Sequence, residues 1–316
     1  MKKAFEKLNL RDYGVLLGFL ALCIAISIAT PSFLGKQNIL NLLRQSSTIG
    51  IISAGMTFVI ISGNFDISVG AVAALAGAIT MKFATGGTNL FASMLLGIAI
   101  CAVIGLINGI VVAKINVPSL IATMAMVTIV RGLLLMLTGG YPITENIPIL
   151  DYIGNGYLFN IPIPVVIFFI VVLASFIVLN KTKFGRYVYS VGGNQEASKL
   201  NGINVDSHKV KVFIINAVLA GIAGIVLTGR LGTATAIAGE GYDMDAIASV
   251  VIGGTSVAGG SGSVLKTVIG VLLMSVINNS FNLLGIDVYF QYIFKGLIIL
   301  AAVGFDSYSK KKLASR

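Results

Sequence analysis

The chain alternates long apolar stretches with short polar segments along almost its whole length. Ten stretches have about the length of a membrane-spanning helix, for which a bilayer core roughly 30 Å thick sets the scale. They cover residues 13–30, 48–63, 67–84, 91–113, 117–137, 162–179, 210–228, 245–259, 264–284 and 289–304. Soluble domains carry about 25% charged residues, whereas this chain of 316 residues carries 11%. We therefore predict an all-α, polytopic membrane protein with about ten transmembrane helices.

Charge placement orients these predicted spans. Basic residues cluster at the N-terminus, in the segment 181–211 and at the C-terminus, where the positive-inside rule places cytoplasmic segments. Six spans separate the first two clusters and four separate the last two, so the parity agrees with cytoplasmic N- and C-termini. The net charge of +10 is explained by this bias and predicts no nucleic-acid partner. Acidic residues are expected on external loops: Glu145, Asp151, Glu240, Asp243 and Asp287.

One predicted span is short and ends in a Gly/Ser cluster. Residues 245–259 are followed by GGSGS at 259–263, and such Gly-interrupted segments often mark discontinuous helices at a transport site. A full but short span and a re-entrant helix both fit the pattern. Residues 63–77 and 253–270 are weakly similar, which suggests an inverted repeat pairing spans 2–5 with spans 7–10.

The residue types that most often serve in catalysis and metal binding, histidine and cysteine, are few in this sequence. His208 is the single histidine, and Cys23 and Cys101 lie inside apolar runs without a metal-ligand spacing. No G-x-x-x-x-G-K-[ST] segment is present, so the chain is not expected to bind ATP through a P-loop. We predict no catalytic residue, no metal site and no cofactor in this chain.

The longest predicted cytoplasmic loop, residues 181–210, carries the signature of a short capped helix. Gly192-Gly193 ends the preceding structure and Asn194 is placed to cap a helix over residues 195–200. Glu196 falls in its first turn, where negative charge suits the helix dipole, and Gly202 follows as the stop. A short helix in this loop is the form that a docking element for another protein would take.

This loop resembles the coupling loop of permease subunits of bacterial ATP-binding-cassette sugar importers, most closely the ribose-type permeases. The resemblance rests on GGNQEASKLNGINV, ISGNFDISVGAVAALAGAI, GYDMDAIASVVIGGTSVAGGSGS and NNSFNLLGIDVYFQYIFKGLIILAAV, in this order along the chain. It covers nearly all of the sequence and implies one transmembrane permease domain over residues 1–316, in the bacterial inner membrane. Coupling residues are implied within 192–202: Gly192, Gly193, Asn194, Glu196, Ala197, Leu200 and Gly202.

The resemblance also implies partners. ATP and Mg²⁺ are expected on a separate cytoplasmic ATPase subunit that docks at residues 192–203. An extracytoplasmic sugar-binding protein is expected on the acidic outer face. The permease is expected to pair with a second permease chain, as a homodimer or with a related chain, and otherwise to contact membrane lipid.

Polar residues inside the predicted spans are the candidates for the translocation path. Charges there are costly, and three stand out: Asp66, Arg131 and Lys295. Asp66 is expected at a cytoplasmic turn, either solvated or capping the helix from Ile67. Arg131 and Lys295 are expected to snorkel or to form an ion pair, for which Asp66 is the visible acid, and direct contact with the solute is the alternative. A neutral sugar also needs amides, and the candidates are Asn108, Asn216, Asn278, Asn279, Asn282 and Gln291.

Interhelical hydrogen bonding is the alternative role for each of these amides. Two other function classes remain. An ion- or proton-coupled secondary transporter of a polar solute would need a membrane-embedded acid, for which Asp66 is the candidate. An intramembrane enzyme is disfavoured because the spans hold no acid/base pair and no set of metal ligands.

Overall fold

The structure, a computed structural model, describes residues 10–314, with side chains described for 15–301, 303 and 304. The first half contains α1 (Leu10–Ala29), α2 (Lys36–Ile61), α3 (Val69–Thr85), α4 (Leu90–Ala113), α5 (Ser119–Thr138), α6 (Pro148–Asn155) and α7 (Ile163–Lys181). The second half contains α8 (Lys183–Gly193), α9 (Gln195–Leu200), α10 (Val205–Leu231), α11 (Tyr242–Ile252), α12 (Val264–Leu283) and α13 (Val288–Ala314). A 3-10 turn, Pro31–Leu34, separates α1 from α2.

Each of the ten predicted spans corresponds to a helix, so the all-α prediction is confirmed. Five described helices, α4, α5, α7, α10 and α12, are long and apolar enough to cross a membrane by themselves. Helix α2 is longer than predicted: it starts at Lys36 and runs for 26 residues. The basic residues Lys2, Lys3, Lys7 and Arg316, which orient the termini, lie outside the described residues.

The bundle has two distinct ends. One carries α8, α9 and the segments 62–68 and 253–263, and we call it the α8 end. The other carries α6 and two short strand pairs, and we call it the α6 end. Strand β1 (Ile143–Thr144) pairs with β4 (Thr233–Ala234), and β2 (Tyr157–Leu158) pairs with β3 (Ile161–Pro162), each antiparallel. These pairs tie the polar connections together outside the helices.

In the inverted repeat, the first helix of each set packs against helices of the other set. Helix α10 packs on α3 and α4, and its counterpart α2 packs on α11 and α12. The second helix of each set also contacts the third and fourth: α3 with α4 and α5, α11 with α12 and α13. Because α2 runs towards the α8 end and α10 runs away from it, the two sets have opposite orientation.

The sequence motifs chosen to represent the repeat were nevertheless wrong. Gly63 lies against Gly259 at the α8 end, where a Cβ on Gly259 would stand 2.9 Å from the Cα of Gly63. Two segments at the same end of an inverted repeat cannot be equivalent. The counterpart of segment 62–68, which precedes α3, is segment 232–241, which precedes α11.

Small residues let the central helices approach closely. A Cβ on Gly224 of α10 would lie 1.9 Å from the carbonyl oxygen of Ala73 in α3, and one on Gly77 would lie 1.9 Å from Thr228 Oγ1. Such small-residue seams are the usual packing of helices in lipid, where the hydrophobic effect does not drive helix association. The seam fixes α3 against α10.

The short eighth span is a discontinuous crossing. Helix α11 has 11 residues, about 16 Å at 1.5 Å per residue, which is half of a bilayer core. Segment 232–241 enters the bundle from the α6 end, and segment 253–263 continues towards the α8 end, where Gly260 N donates to Ile61 O at 2.8 Å. Backbone without helix is tolerated at this depth only where protein or a cavity surrounds it.

Candidate functional site

Asp66 is buried rather than solvated. Its residue is 1% exposed, and its Oδ1 accepts from Ser68 N at 2.9 Å. Asn216 of α10 donates to Oδ2 at 2.9 Å, and Asn108 of α4 donates to Ser68 Oγ at 3.1 Å. The carboxylate thus organises the start of α3, which begins at Val69. The helix begins at Val69 with Ser68 as its N-cap and without a side-chain capping hydrogen bond, so Asp66 shapes the turn before the helix and does not cap a helix from Ile67; the predicted solvation is also wrong.

Lys295 forms an ion pair with Asp245, which was not among the candidate residues predicted from the sequence. Its Nζ lies 3.0 Å from Asp245 Oδ1 and 3.1 Å from Oδ2. Asn278 of α12 donates to the same carboxylate at 3.4 Å. The prediction of an ion pair for Lys295 is therefore right, but the proposed partner, Asp66, is wrong. In the sequence, Asp245 stands at the start of an apolar segment and Lys295 stands inside the last one. These two positions are the signal that could have suggested the pair.

Arg131 binds backbone rather than snorkelling. Its Nη1 donates to the carbonyl oxygens of Ala236 and Ala238, both in segment 232–241. Arg131 is a central residue of α5, so these carbonyls lie at the middle depth of the bundle. Glu240, which is exposed, and Asp243, which is half-buried, follow directly along the chain; their place on an external loop stays a prediction.

The start of α3 and segment 232–241 meet at this depth. A Cβ on Gly70 would stand 2.3 Å from the carbonyl oxygen of Gly239, so only glycine permits the approach. Gly239 itself has φ +68°, a left-handed conformation that glycine adopts without strain. The N-terminal ends of α3 and α11, one from each repeat, therefore lie beside each other.

A cleft of about 700 Å³ opens beside this meeting point. Its walls are the start of α3, the middle of α5, segment 236–241, the first turn of α11 and Tyr292 of α13. We call it the central cleft. A smaller cleft of about 330 Å³ adjoins it, shares Glu240, Met244 and Tyr292, and adds Gln291 and Lys295. The volumes are in the range of small-molecule sites.

The remaining predicted amides link helices near the α6 end. Asn279 and Asn38 exchange two hydrogen bonds, at 2.8 and 3.0 Å, which join α12 to α2. Gln291 donates to Asn282 Oδ1 at 3.2 Å, which joins α13 to α12. Of the predicted amides, Asn108 and Asn216 thus lie in the Asp66 network, and Asn278 lies at Asp245. Among them, Gln291 alone lines one of the two adjoining clefts.

At the α8 end, the capped helix forms as the sequence indicates. Asn194 Oδ1 accepts from Ala197 N at 2.9 Å and begins α9. Gly202 has φ +79° just beyond its end. Glu196 and Ala197 are exposed, and Leu200 is 90% exposed.

Helix α8 connects this surface to the membrane-embedded elements. A Cβ on Gly192 would lie 1.7 Å from the carbonyl oxygen of Ile61, at the end of α2. Tyr189 Oη donates to Gly262 O at 3.0 Å, in the segment that continues α11. Burial raises the pKa of the Tyr189 phenol, so this donor keeps its proton at neutral pH. Tyr189 had no sequence signal beyond being a tyrosine in the loop.

The arrangement suits movement of a solute rather than bond chemistry. It combines a discontinuous span, a largely apolar cleft with three charged side chains on its wall, and a link from that span to an exposed surface helix. These are features of transporters that rock around a central site.

Comparisons with known proteins agree with this interpretation. A family model described as a branched-chain amino acid transport system permease component matches residues 38–303. The chain is 44% identical over 303 residues to the ribose import permease protein of Haemophilus influenzae, covering 93% of this chain and 94% of that protein. It is 42% identical over 300 residues to the ribose import permease protein of Bacillus subtilis, covering 94% and 93%.

A further relative is the L-arabinose transport system permease protein of Escherichia coli, 35% identical over 300 residues, with 95% of this chain and 92% of that protein covered. No solved structure gives a significant match. The chain therefore belongs to this family of transport-system permease components, as a multi-pass membrane protein of the ribose-type sugar permeases.

Proposed function

We propose that the chain is the permease subunit of an ATP-binding-cassette importer that carries ribose or a closely related monosaccharide into the cytoplasm. The observation that carries this proposal is α9, an exposed, capped helix linked through α8 to the discontinuous span. The names of the relatives at 42 and 44% identity supply the sugar. The whole chain acts as one permease domain, and it makes and breaks no covalent bond.

The α8 end faces the cytoplasm in this proposal. It carries the basic residues of the loop 181–211, namely Lys181, Lys183, Arg186, Lys199, Lys209 and Lys211. The α6 end carries Glu145, Asp151 and Asp287 together with the basic residues Lys36, Arg44, Lys82 and Arg230, so basic residues are fewer there than at the α8 end. This asymmetry is the one that the positive-inside rule describes, and with it both termini are cytoplasmic in the bacterial inner membrane.

The partners follow from this orientation. An ATPase subunit, which binds ATP and Mg²⁺, engages α9 and the exposed side chains of Glu196, Ala197 and Leu200. A sugar-binding protein docks on the α6 end and releases sugar into the bundle. A second copy of the permease completes the pathway, and lipid covers the remaining apolar faces.

Coupling runs through the contacts of α8. ATP-driven closure of the ATPase displaces α9, and α8 moves with it. The contact of Gly192 with Ile61 passes the displacement to α2, and the Tyr189–Gly262 hydrogen bond passes it to segment 253–263. Helix α11 then shifts against α13, which alternately exposes the central cleft to the two ends.

Reconstitution tests the function directly. The permease is placed in proteoliposomes with its ATPase and binding protein, and uptake of labelled D-ribose is measured. We expect uptake that requires ATP, stops with vanadate and persists with an uncoupler. The rival secondary transporter, with Asp66 as the coupling acid, predicts the opposite: uptake without ATP that collapses with the uncoupler.

A further inference from the structure

The central cleft holds a set of side chains that the proposed function does not by itself explain. Arg131, Glu240 and Asp243 all lie on its wall, which Tyr292 also lines. The charges of Glu240 and Asp243 act on Arg131. Membrane-embedded charges are rare and mark functional sites by default. Three of them around one cavity at the middle depth therefore call for a ligand.

Arg131 has hydrogen-bond donors available for such a ligand. Within the described part of the chain, both of its hydrogen bonds are made by Nη1, to Ala236 and Ala238. Nη2 and Nε remain for other acceptors, and the guanidinium offers them in a fixed planar fork. The backbone that holds Arg131 also carries Glu240, so donor and acceptor are fixed by one segment.

The chemistry of these groups selects a neutral polyol. Carboxylates accept from adjacent hydroxyls and a guanidinium donates to hydroxyl oxygens, which are the hydrogen bonds that a sugar offers. The ring of Tyr292 offers an apolar surface to the C–H face of the sugar, with a polar tip. Two carboxylates against one guanidinium leave no excess of positive charge, so the cleft repels a phosphorylated sugar.

The geometry points to a transient monosaccharide site in the central cleft, and we propose that Arg131, Glu240, Asp243 and Tyr292 bind the sugar there during transit. This proposal rests on the proposed function for the identity of the sugar. The site is a weak one, because tight binding inside a pathway would slow release.

Direct binding tests the site without partners. The full-length chain in lipid nanodiscs is titrated with D-ribose, and saturation-transfer NMR of the sugar protons is measured. We expect a signal for D-ribose and none for D-ribose 5-phosphate. In Asp243→Asn and Tyr292→Leu the apparent affinity should fall about tenfold, the equivalent of one lost charged hydrogen bond or stacking contact.

Glu145→Gln is the matched control, because Glu145 is an exposed carboxylate near the α6 end, and it should bind like the wild type. Tyr292 is largely exposed on α13, so Tyr292→Leu keeps the test valid if Asp243→Asn fails to fold. Equal binding by the wild type and both variants, or stronger binding of the phosphorylated sugar, overturns the site. Uptake of D-ribose by a wild-type chain that shows no binding refutes the site and leaves the function standing, whereas absence of ATP-driven uptake refutes the function itself.

Discussion

Lys295 Nζ stands 3.0 Å from Asp245 Oδ1 and joins the last helix to the half-span α11. Within the described chain, α11 is the main neighbour of α13, so this ion pair is a principal connection between α13 and the bundle. The carboxylate side is almost fully buried, whereas the lysine keeps 23% of its side-chain surface exposed. Removing one partner alone therefore leaves a charge that water reaches poorly.

Lys295→Met should destabilise the protein by about 3 kcal/mol, because breaking a buried pair by removing one partner leaves an uncompensated charge. The reporter is Cys101, which is fully buried: in a Cys23→Ser background, its rate of reaction with a thiol dye in detergent measures opening of the bundle. The double variant Lys295→Met/Asp245→Leu removes both charges and should recover most of the loss. An unchanged Cys101 reaction rate in Lys295→Met would show that the pair contributes nothing.

The Asp66 network is expected to be structural. Asn216→Ala deletes the donor to Asp66 Oδ2 and should cost about 1.5–3 kcal/mol, the usual cost of losing a hydrogen bond to a charged group. The same thiol-dye assay measures it. Asn180→Ala is the control, since Asn180 is an exposed amide that donates only to its own helix, at Phe176 O.

Asp66→Asn separates the two transport classes. The amide keeps the shape of the carboxylate and removes its proton-binding function. We expect uptake in proteoliposomes to remain ATP-dependent and insensitive to an uncoupler, at a reduced rate. Complete loss of uptake in a variant that folds and binds its ATPase would favour the ion-coupled alternative.

The sequence predicted more of the helices than of their connections. Apolar length located the ten helices and the capping signals around Asn194 located α9, because both signals are local along the chain. Asp245 was missed as the partner of Lys295, and the return of segment 232–241 into the bundle was missed, for one physical reason. Whether a polar segment lies in water or folds into a bundle depends on residues distant in sequence. Here Arg131 donates hydrogen bonds to backbone carbonyls of segment 232–241, and Gly70 leaves room for the backbone of that segment.

The repeat shows the same division. The correspondence of spans 2–5 with spans 7–10 was suggested by the weak similarity of residues 63–77 and 253–270, and the helix contacts agree with it. The motif comparison then failed, because glycines at 63 and 259 serve a shared contact at the α8 end rather than equivalent positions. A glycine-rich sequence indicates that the backbone packs closely there, but it does not indicate which segments pack against each other.

The exposed face of α9 is predicted to bind the ATPase. Glu196→Arg and Leu200→Glu should each reduce co-purification of the ATPase and D-ribose uptake by roughly tenfold, since loss of an interface anchor costs about 1–2 kcal/mol or more. Membrane insertion should be unchanged. Glu145→Arg, the same charge reversal near the α6 end, should leave co-purification intact. Normal uptake by Glu196→Arg would remove α9 from the coupling surface.

Two adjacent glycines distinguish coupling from simple flexibility of the loop. A Cβ on Gly192 would stand 1.7 Å from the backbone oxygen of Ile61, whereas the nearest atom to a Cβ on Gly193 is 3.9 Å away. Gly192→Ala must therefore push α8 away from α2, and Gly193→Ala fits without change. Gly192 and Gly193 are the last two residues of α8, where helix propensity matters less than the roughly 1 kcal/mol of a helix interior, so we expect the contact to dominate the difference between the two variants.

We expect Gly192→Ala to keep ATP hydrolysis by the assembled complex while D-ribose uptake falls, and Gly193→Ala to match the wild type in both. Tyr189→Phe, which removes the hydrogen bond to Gly262, should uncouple in the same direction but less, because one hydrogen bond contributes only about 1 kcal/mol. The measurement is the ratio of sugar transported to ATP hydrolysed in proteoliposomes. If that ratio is the same for the two glycine variants, the displacement of α9 reaches the pathway by a route other than the contact between α8 and α2.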